Sequence, residues 1–391
     1  MNDPALQTFE RLFGPEFGHG KPFDRAPLNA ALKALGSPAE NLGAPLIHVA
    51  GTNGKGSTIA FMRAIIEAAG LRVHAFTKPH LHRLNERFVV SGEIVSDRVL
   101  IDAAEAVHAA APTLTQFDAQ VATAMLLFDE NDADVVIIET GMGGRDDSTN
   151  VVPWPALTII TPIGLDHQDA LGETLSEIAT HKAGILKKHS PAVIARQPPV
   201  ALDVIEQRAA GIGARLFRQG VEWDAFESHG RLVVQTENQV LDLPLPSLVG
   251  RHQVDNAGLA CAALLSPWRH NFTDEQFAAG VTNTVWPARL QPLMRGALSE
   301  PIRAIGGEVW IDGGHNAHGA TALARALGDM KTRRGGESVA IIGLRARKDA
   351  DAFIAALAPA AERVIAVPLN EAHVAPEELA ALARQHGADA Q

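Results

Sequence analysis

One cysteine, no long apolar run and no excess of basic residues set the first limits. Cys261 is the single cysteine of the chain, so no intrachain disulfide forms and a cysteine-based metal site is excluded. It sits in the apolar run 259–265, where a buried, inert thiol is expected. No stretch of about 18 consecutive apolar residues occurs, so no membrane-spanning helix is expected. The opening residues, MNDPALQTFERLFG, carry acids where a secretory leader carries bases and an apolar centre, which points to a cytoplasmic protein. Lysine and arginine total 34 against 45 aspartates and glutamates, a net charge of −11. That balance argues against a broad nucleic-acid or anionic-membrane surface. A small basic pocket for phosphate needs only a few side chains and stays open. Internal repeats and low-complexity tracts are also missing, apart from alanine-rich helices.

What is present is an ordinary globular composition, 46% hydrophobic and 20% charged over 391 residues, a length that suggests two or three domains. Near-continuous apolar runs at 46–50, 72–76, 134–139, 157–161 and 192–195 read as strands. Alanine- and leucine-rich stretches at 57–69, 97–111, 119–131 and 175–185 read as helices between them. Buried strands spaced by helices predict an α/β fold with a mostly parallel sheet covered on both faces. From 216 to 245 the pattern turns to alternation with Gly and Asn at the turns, which predicts a small antiparallel β appendage. A helix follows at 254–265. The segment VWPARLQP (285–292) carries two prolines and reads as a domain junction. Beyond it the βα rhythm restarts: strands 308–312, 338–343 and 363–368, helices 319–327, 350–357 and 375–385. The expected division is residues 1–290 and a smaller, Rossmann-like α/β domain at 291–391.

Four segments carry chemistry. The first, LIHVAGTNGKGST (46–58), is an apolar strand, a glycine-rich turn and a helix start. Gly51, Thr52, Asn53, Gly54, Lys55, Gly56 and Ser57 have the makings of a phosphate cradle. Its spacing departs from G-x-x-x-x-G-K-[ST], because Gly56 follows Lys55 and Val49 stands where the first glycine belongs. The second, VVIIETGMGGR (135–145), ends a strand on Glu139, which in a doubly wound sheet lies at the ligand end and suits Mg²⁺; a carboxylate in solvent is the plainer reading. The third, IGLDHQDALG (163–172), offers Asp166 and His167 as metal ligand, base or cap. Lys182 follows in a helical stretch, where a surface lysine is the default. The fourth, VWIDGGHN (309–316), places Asp312, His315 and Asn316 after a strand, with Arg289 of the junction as a candidate phosphate contact.

GTNGKGS, E-x-G-x-GG-x-x-D-[AS]-TN, LDH followed by HKAGI, and WPARL followed by DG-x-HN occur here in one order. Together they resemble folylpolyglutamate synthase/dihydrofolate synthase, of the Mur ligase superfamily, over nearly the whole chain. The resemblance accounts for Gly56, since that family's loop carries a glycine between lysine and serine. It implies an ATP- and Mg²⁺-dependent ligase, acting as a monomer, that joins L-glutamate to dihydropteroate or to folates through an acyl phosphate. It further implies an ATP cradle of Gly51, Asn53, Gly54, Lys55 and Gly56, with Ser57 as the hydroxyl on Mg²⁺. Glu139 and His167 match metal ligands. Lys182 matches a lysine that is carbamylated by CO₂ in relatives, which requires the neutral amine. Asn256 and Arg289 match nucleotide and phosphate contacts. Asp312 and His315 match second-domain residues near ATP and glutamate, and Arg87 an arginine for the incoming glutamate carboxylate.

Three departures qualify that reading. Lys78, in FTKPHL, stands where the family usually has a serine that ligates a second Mg²⁺; a protonated lysine cannot ligate metal. Either the second ion is lost, or Lys78 neutralises phosphate in its place. Gln116-Phe117-Asp118 and the basic loop Arg345–Asp349 (RARKD) also differ, and the chain ends at Gln391 where the family is expected to continue. Three readings stay open: an active synthase of this family, a divergent ligase for another acid–amine pair, and a non-catalytic nucleotide-binding relative.

Overall fold

A computed structural model describes residues 3–16, 24–266 and 270–391. They form two compact units. The first comprises residues up to 163, 175–245 and 255–284; the second comprises 164–174, 246–254 and 285–391. Among the described residues no helix is long and apolar enough to cross a membrane.

The first unit is organised by an eight-stranded sheet. In chain order its strands are β1 (Leu46–Ala50), β2 (Val73–Phe76), β3 (Phe88–Val90), β4 (Glu93–Ile94), β5 (Val135–Glu139), β6 (Leu157–Ile160), β7 (Ala192–Ile194) and β8 (Leu216–Arg218). Their spatial order is β4-β3-β2-β5-β1-β6-β7-β8, parallel from β2 to β8, with β3 and β4 added antiparallel at one edge. Every residue of β1, β2, β5, β6 and β7 is buried. That is the reason these strands read as unbroken apolar runs. β1 lies between β5 and β6, with His48 opposite Ile138 and Thr158. His48 is buried, shares a 2.9 Å hydrogen bond with Thr149 Oγ1, and has its pKa lowered to about 3 by burial first and by Lys187 and Arg25 second.

Two N-terminal helices, Pro4–Phe13 and Ala26–Ala34, close one side of the core through Phe9, Leu28, Phe76, Phe88 and Phe128. The helix Lys55–Ala68 is gripped by Asp274–Asn283 so tightly that a Cβ on Gly280 would lie 2.5 Å from the Ile65 backbone. Cys261 is buried, and burial pushes its thiol pKa up.

The appendage is a meander of β9 (Trp223–Ser228), β10 (Arg231–Thr236) and β11 (Val240–Pro244). Its inward positions, such as Ala225, Val234 and Leu241, alternate with exposed ones. The boundary expected at 216 needs correction, because β8 pairs in parallel with β7 and belongs to the main sheet. An edge strand is only half covered, so it shows the same broken polarity as a meander strand.

In the second unit β14 (Val339–Ile342), β15 (Arg363–Ala366) and β16 (Asp389–Ala390) form a parallel sheet. The helices Ala317–Arg334, Ala350–Leu357 and Pro376–Gln385 supply its core partners, among them Ala320, Ile354 and Leu379. The strand expected at 308–312 does not join this sheet. Only β13 (Trp310–Ile311) forms, and it pairs antiparallel with β12 (Gln291–Pro292) in a separate ribbon. Residues 309–313 pair with the junction instead: Leu293 N donates to Val309 O at 2.8 Å and Gly313 N to Ala288 O at 2.9 Å, and the Asp312 carboxylate accepts from Leu290 N at 2.8 Å and Gly314 N at 2.7 Å.

Candidate active site

In a parallel sheet the loops after the strands gather at one end. Here β1 runs into GTNGKGS, β2 into Thr77-Lys78, β5 into TGMGGRDDSTN and β6 into Thr161-Pro162. The cradle follows from its glycines. Gly51 has φ 147°, and a Cβ there would fall 1.9 Å from Thr161 Oγ1. Gly54 caps the helix at φ 85°, with a Cβ that would meet Asn256 Oδ1 at 2.4 Å. Only glycine fits either place. Thr52 N and Asn53 N donate to Pro162 O at 3.0 and 3.4 Å, which ties the loop to β6. The helix opens at Lys55, two residues before the expected start, so the loop delivers the first N–H groups of the helix directly. Such groups have no intrahelical acceptor and suit an anion.

Apart from Arg87, the side chains singled out in this unit converge on that loop. Lys55 Nζ donates to Gly51 O at 3.1 Å and Thr52 O at 3.2 Å, and lies 3.9 Å from Glu139 Oε1. Lys182, on the helix Leu175–Ala183, is buried and donates to the same Gly51 O at 2.8 Å. The default of a surface lysine is thereby overturned; a helix pattern in sequence does not reveal which loop the helix packs on. Glu139 is likewise buried, not in solvent, and its Oε2 accepts from Lys78 N at 3.2 Å. Asn256 packs on Gly54, and Ser57 is buried in the first helical turn.

The loop after β5 is stapled by Asp147, which accepts from Met142 N, Thr149 N and Thr149 Oγ1 at 2.7, 3.0 and 2.5 Å. Asp118 takes hydrogen bonds from Thr115 and Ser148, both at 2.6 Å, and joins this loop to the helix Gln116–Asp129. The sequence marks Asp118 only as part of the departure at 116–118 and Asp147 only as the aspartate of a quoted motif, with no structural role for either.

Arg87 was expected to meet a ligand carboxylate. The structure gives it a protein one: Nη1 and Nη2 donate to Glu16 at 2.8 and 3.0 Å, Nη1 to Gln120 at 2.7 Å, and Nε to His80 at 3.0 Å. A substrate carboxylate would have to displace Glu16 or share the guanidinium with it.

The second unit holds its own cluster around Asp166. Lys348 Nζ donates to Oδ1 at 2.5 Å and Asn316 Nδ2 to Oδ2 at 3.0 Å, while His315 Nε2 lies 3.4 Å away. Burial alone would raise the Asp166 pKa. The hydrogen bond from His315 and the charges of His167 and Lys348 hold it well below the usual carboxylate range. The basic loop that looked like a departure thus supplies Lys348 as a counter-ion. His167 is half exposed at φ 53°, its ring 3.9 Å from Asp166. Arg289 donates to Ala288 O at 2.8 Å and lies over Gly313, so close that a Cβ there would meet its Nη1 at 2.6 Å. Among the described residues no three or more His, Cys, Asp or Glu side chains are grouped to hold a metal alone. An ion bridged by phosphate needs fewer protein ligands.

A parallel sheet with a lysine-bearing glycine loop at a helix start has the architecture of a nucleotide-binding α/β protein, and the family models narrow it to the Mur ligases. Residues 49–264 match the family described as Mur ligase middle domain, and residues 299–391 the family described as Mur ligase, glutamate ligase domain. Dihydrofolate synthase/folylpolyglutamate synthase of Bacillus subtilis is 34% identical over 355 residues, 84% of this chain and 76% of that protein. Among solved structures, Escherichia coli FolC in complex with DHPP and ADP is similar with a TM-score of 0.86 and 28% identity, covering 100% of this chain and 88% of that one. The bifunctional folylpolyglutamate synthase/dihydrofolate synthase of Yersinia pestis, complexed with AMPPNP and Mn ion, is similar with a TM-score of 0.85 and 29% identity, covering 100% and 89%. The chain belongs to the folylpolyglutamate synthase/dihydrofolate synthase family.

Proposed function

We propose that this chain couples ATP cleavage to the ligation of L-glutamate onto dihydropteroate, onto the glutamate tail of a folate, or onto both. The observation that carries this reading is the convergence of Lys55, Lys182 and Glu139 on a glycine loop at the end of β1. In the first step a carboxylate oxygen of the acid attacks the γ-phosphorus of ATP. The bond to the β-phosphate oxygen breaks, and ADP leaves. In the second, the neutral amine of glutamate attacks the acyl carbon. The carbon–oxygen bond to phosphate breaks, phosphate leaves with that oxygen, and the nitrogen releases a proton to solvent.

The chain's own residues mainly position and neutralise. Gly51, Thr52, Asn53, Gly54 and Gly56 form the backbone cradle, and the N–H groups opening the helix Lys55–Ala68 face the phosphates. On binding nucleotide, Lys55 exchanges its loop carbonyls for β- and γ-phosphate oxygens, a charge-assisted and stronger pairing. Asn256 fixes Gly54 and contacts the nucleotide. Arg289, Asp312 and His315 belong to the nucleotide and glutamate side of the reaction, with Asp166 holding His315 in place. Ser57 and Glu139 are buried oxygen donors that fit a hard divalent ion. They are the residues that would hold Mg²⁺, which when bound offsets charge developing on the phosphates. Carbamylation of Lys182 would turn its ammonium into an anion beside Gly51. The working division is an ATP-binding central domain at residues 1–290 and a C-terminal α/β ligase domain at 291–391, in a monomeric cytoplasmic enzyme that binds neither nucleic acid nor membrane.

The test is phosphate release with ATP and Mg²⁺, offering dihydropteroate or tetrahydrofolate with and without L-glutamate. Glutamate-dependent release with at least one acid is expected. Its absence with both would overturn the assignment, and turnover with another acid–amine pair would redirect it.

A further inference from the structure

Three neighbouring strand ends carry alternating charge. β5 lies between β2 and β1, so Glu139 stands between the loops that bear Lys78 and Lys55. Its Oε1 is 3.9 Å from Lys55 Nζ and its Oε2 accepts from Lys78 N at 3.2 Å. The Lys78 ammonium lies 5.4 Å from the centroid of the Phe117 ring. Asp147 and Glu139 attract it, and Lys55 and Arg87 repel it. Among the described residues its Nζ forms neither a hydrogen bond nor a close ion pair.

Lys78 is half-buried, and its ammonium has three donors and no acceptor capacity, so solvent meets the donors that no protein group does. Desolvation still pushes the Lys78 pKa down from the ordinary lysine value, and the nearby carboxylates oppose that shift. An anion arriving at the cradle would replace that solvent with a charge-assisted contact. Charge balance points the same way: Lys55, Lys182 and Lys78 set three formal positive charges against Glu139 and Asp147. Without Lys78 the remaining four would be formally neutral and would offer a triphosphate no net attraction.

We propose that Lys78 contacts the phosphoryl group being transferred, and that its ammonium supplies there the charge that a second divalent ion would otherwise supply. The proposal rests on the nucleotide-binding part of the ligase reading. It assigns no bond-making step to Lys78; the side chain binds and neutralises. A lysine contact has a consequence that an ion lacks, since it cannot be removed by chelation and does not vary with metal concentration.

The experiment uses the full chain with AMPPNP and Mn²⁺, neither of which requires turnover. Electron paramagnetic resonance counts bound Mn²⁺ at saturating AMPPNP, and calorimetry measures AMPPNP affinity. The wild type is expected to hold one Mn²⁺ per nucleotide. Lys78→Met is expected to weaken AMPPNP about tenfold or more, the scale of a lost charge-assisted contact. Lys78→Arg keeps the charge and should retain most of the affinity. Lys78→Ser should admit a second Mn²⁺. Two Mn²⁺ in the wild type, or AMPPNP affinity unchanged in a folded Lys78→Met, would overturn the proposal. A Lys78→Met protein that only melts earlier, with affinity intact, would make the lysine structural and sink it equally. If these binding results hold while no acid supports glutamate-dependent turnover, the failure belongs to the ligase reading and not to Lys78.

Discussion

Single positions in this protein are constrained by what their neighbours leave no room for. Gly54 combines φ 85° with an Asn256 oxygen that a Cβ would approach to 2.4 Å. An alanine there costs about 1–3 kcal/mol in backbone strain and moves the N–H groups opening the helix. Gly54→Ala is therefore expected to weaken AMPPNP binding at least about tenfold, and calorimetry showing wild-type affinity would refute this view of the cradle. His48 sets a pH limit of another kind. Burial holds its folded pKa at about 3 against an ordinary 6.5. Below pH 6.5 the unfolded chain takes up a proton that the folded chain refuses, so stability falls with pH between those two values. The loss approaches an upper limit of about 1.4 kcal/mol per pH unit. Urea midpoints measured from pH 7 to pH 5 should show the decline, and His48→Gln should flatten it. Equal slopes in the two proteins would mean that other groups carry the acid sensitivity.

At the level of elements, the contact of Asp274–Asn283 on Lys55–Ala68 holds the helix whose first turn is the cradle. Gly280→Ala adds about 1 kcal/mol of helix propensity, but its Cβ would lie 2.5 Å from Ile65 backbone, and such overpacking costs about 1–3 kcal/mol. Net destabilisation is expected, read as a lower urea midpoint; a higher midpoint would show that the two helices separate freely. These elements also show what the sequence makes legible. β1, β5 and β6 are visible because strands covered on both faces become apolar runs, and GTNGKGS is visible because its chemistry is local. β8 and β13 were misplaced because an edge strand and a two-residue strand take their identity from a partner. The same holds for pairs. Glu16 and Arg87 are 71 residues apart, and Asp166 and Lys348 are 182 apart. No spacing rule joins such residues. Lys182 was marked by its motif, yet only packing places it on Gly51.

For the molecule as a whole, the proposed chemistry is a single sequence: an acid is activated as an acyl phosphate, then captured by glutamate. In the proposed reaction the loop, the lysines and Glu139 serve the first half, and the family to which the chain belongs indicates the second. The most direct measurement uses dihydropteroate or tetrahydrofolate whose reacting carboxylate carries ¹⁸O, with ATP, Mg²⁺ and L-glutamate. Mass spectrometry of the released phosphate should find one carboxylate oxygen transferred to phosphate per amide formed. Amide formation accompanied by unlabelled phosphate would contradict the mechanism.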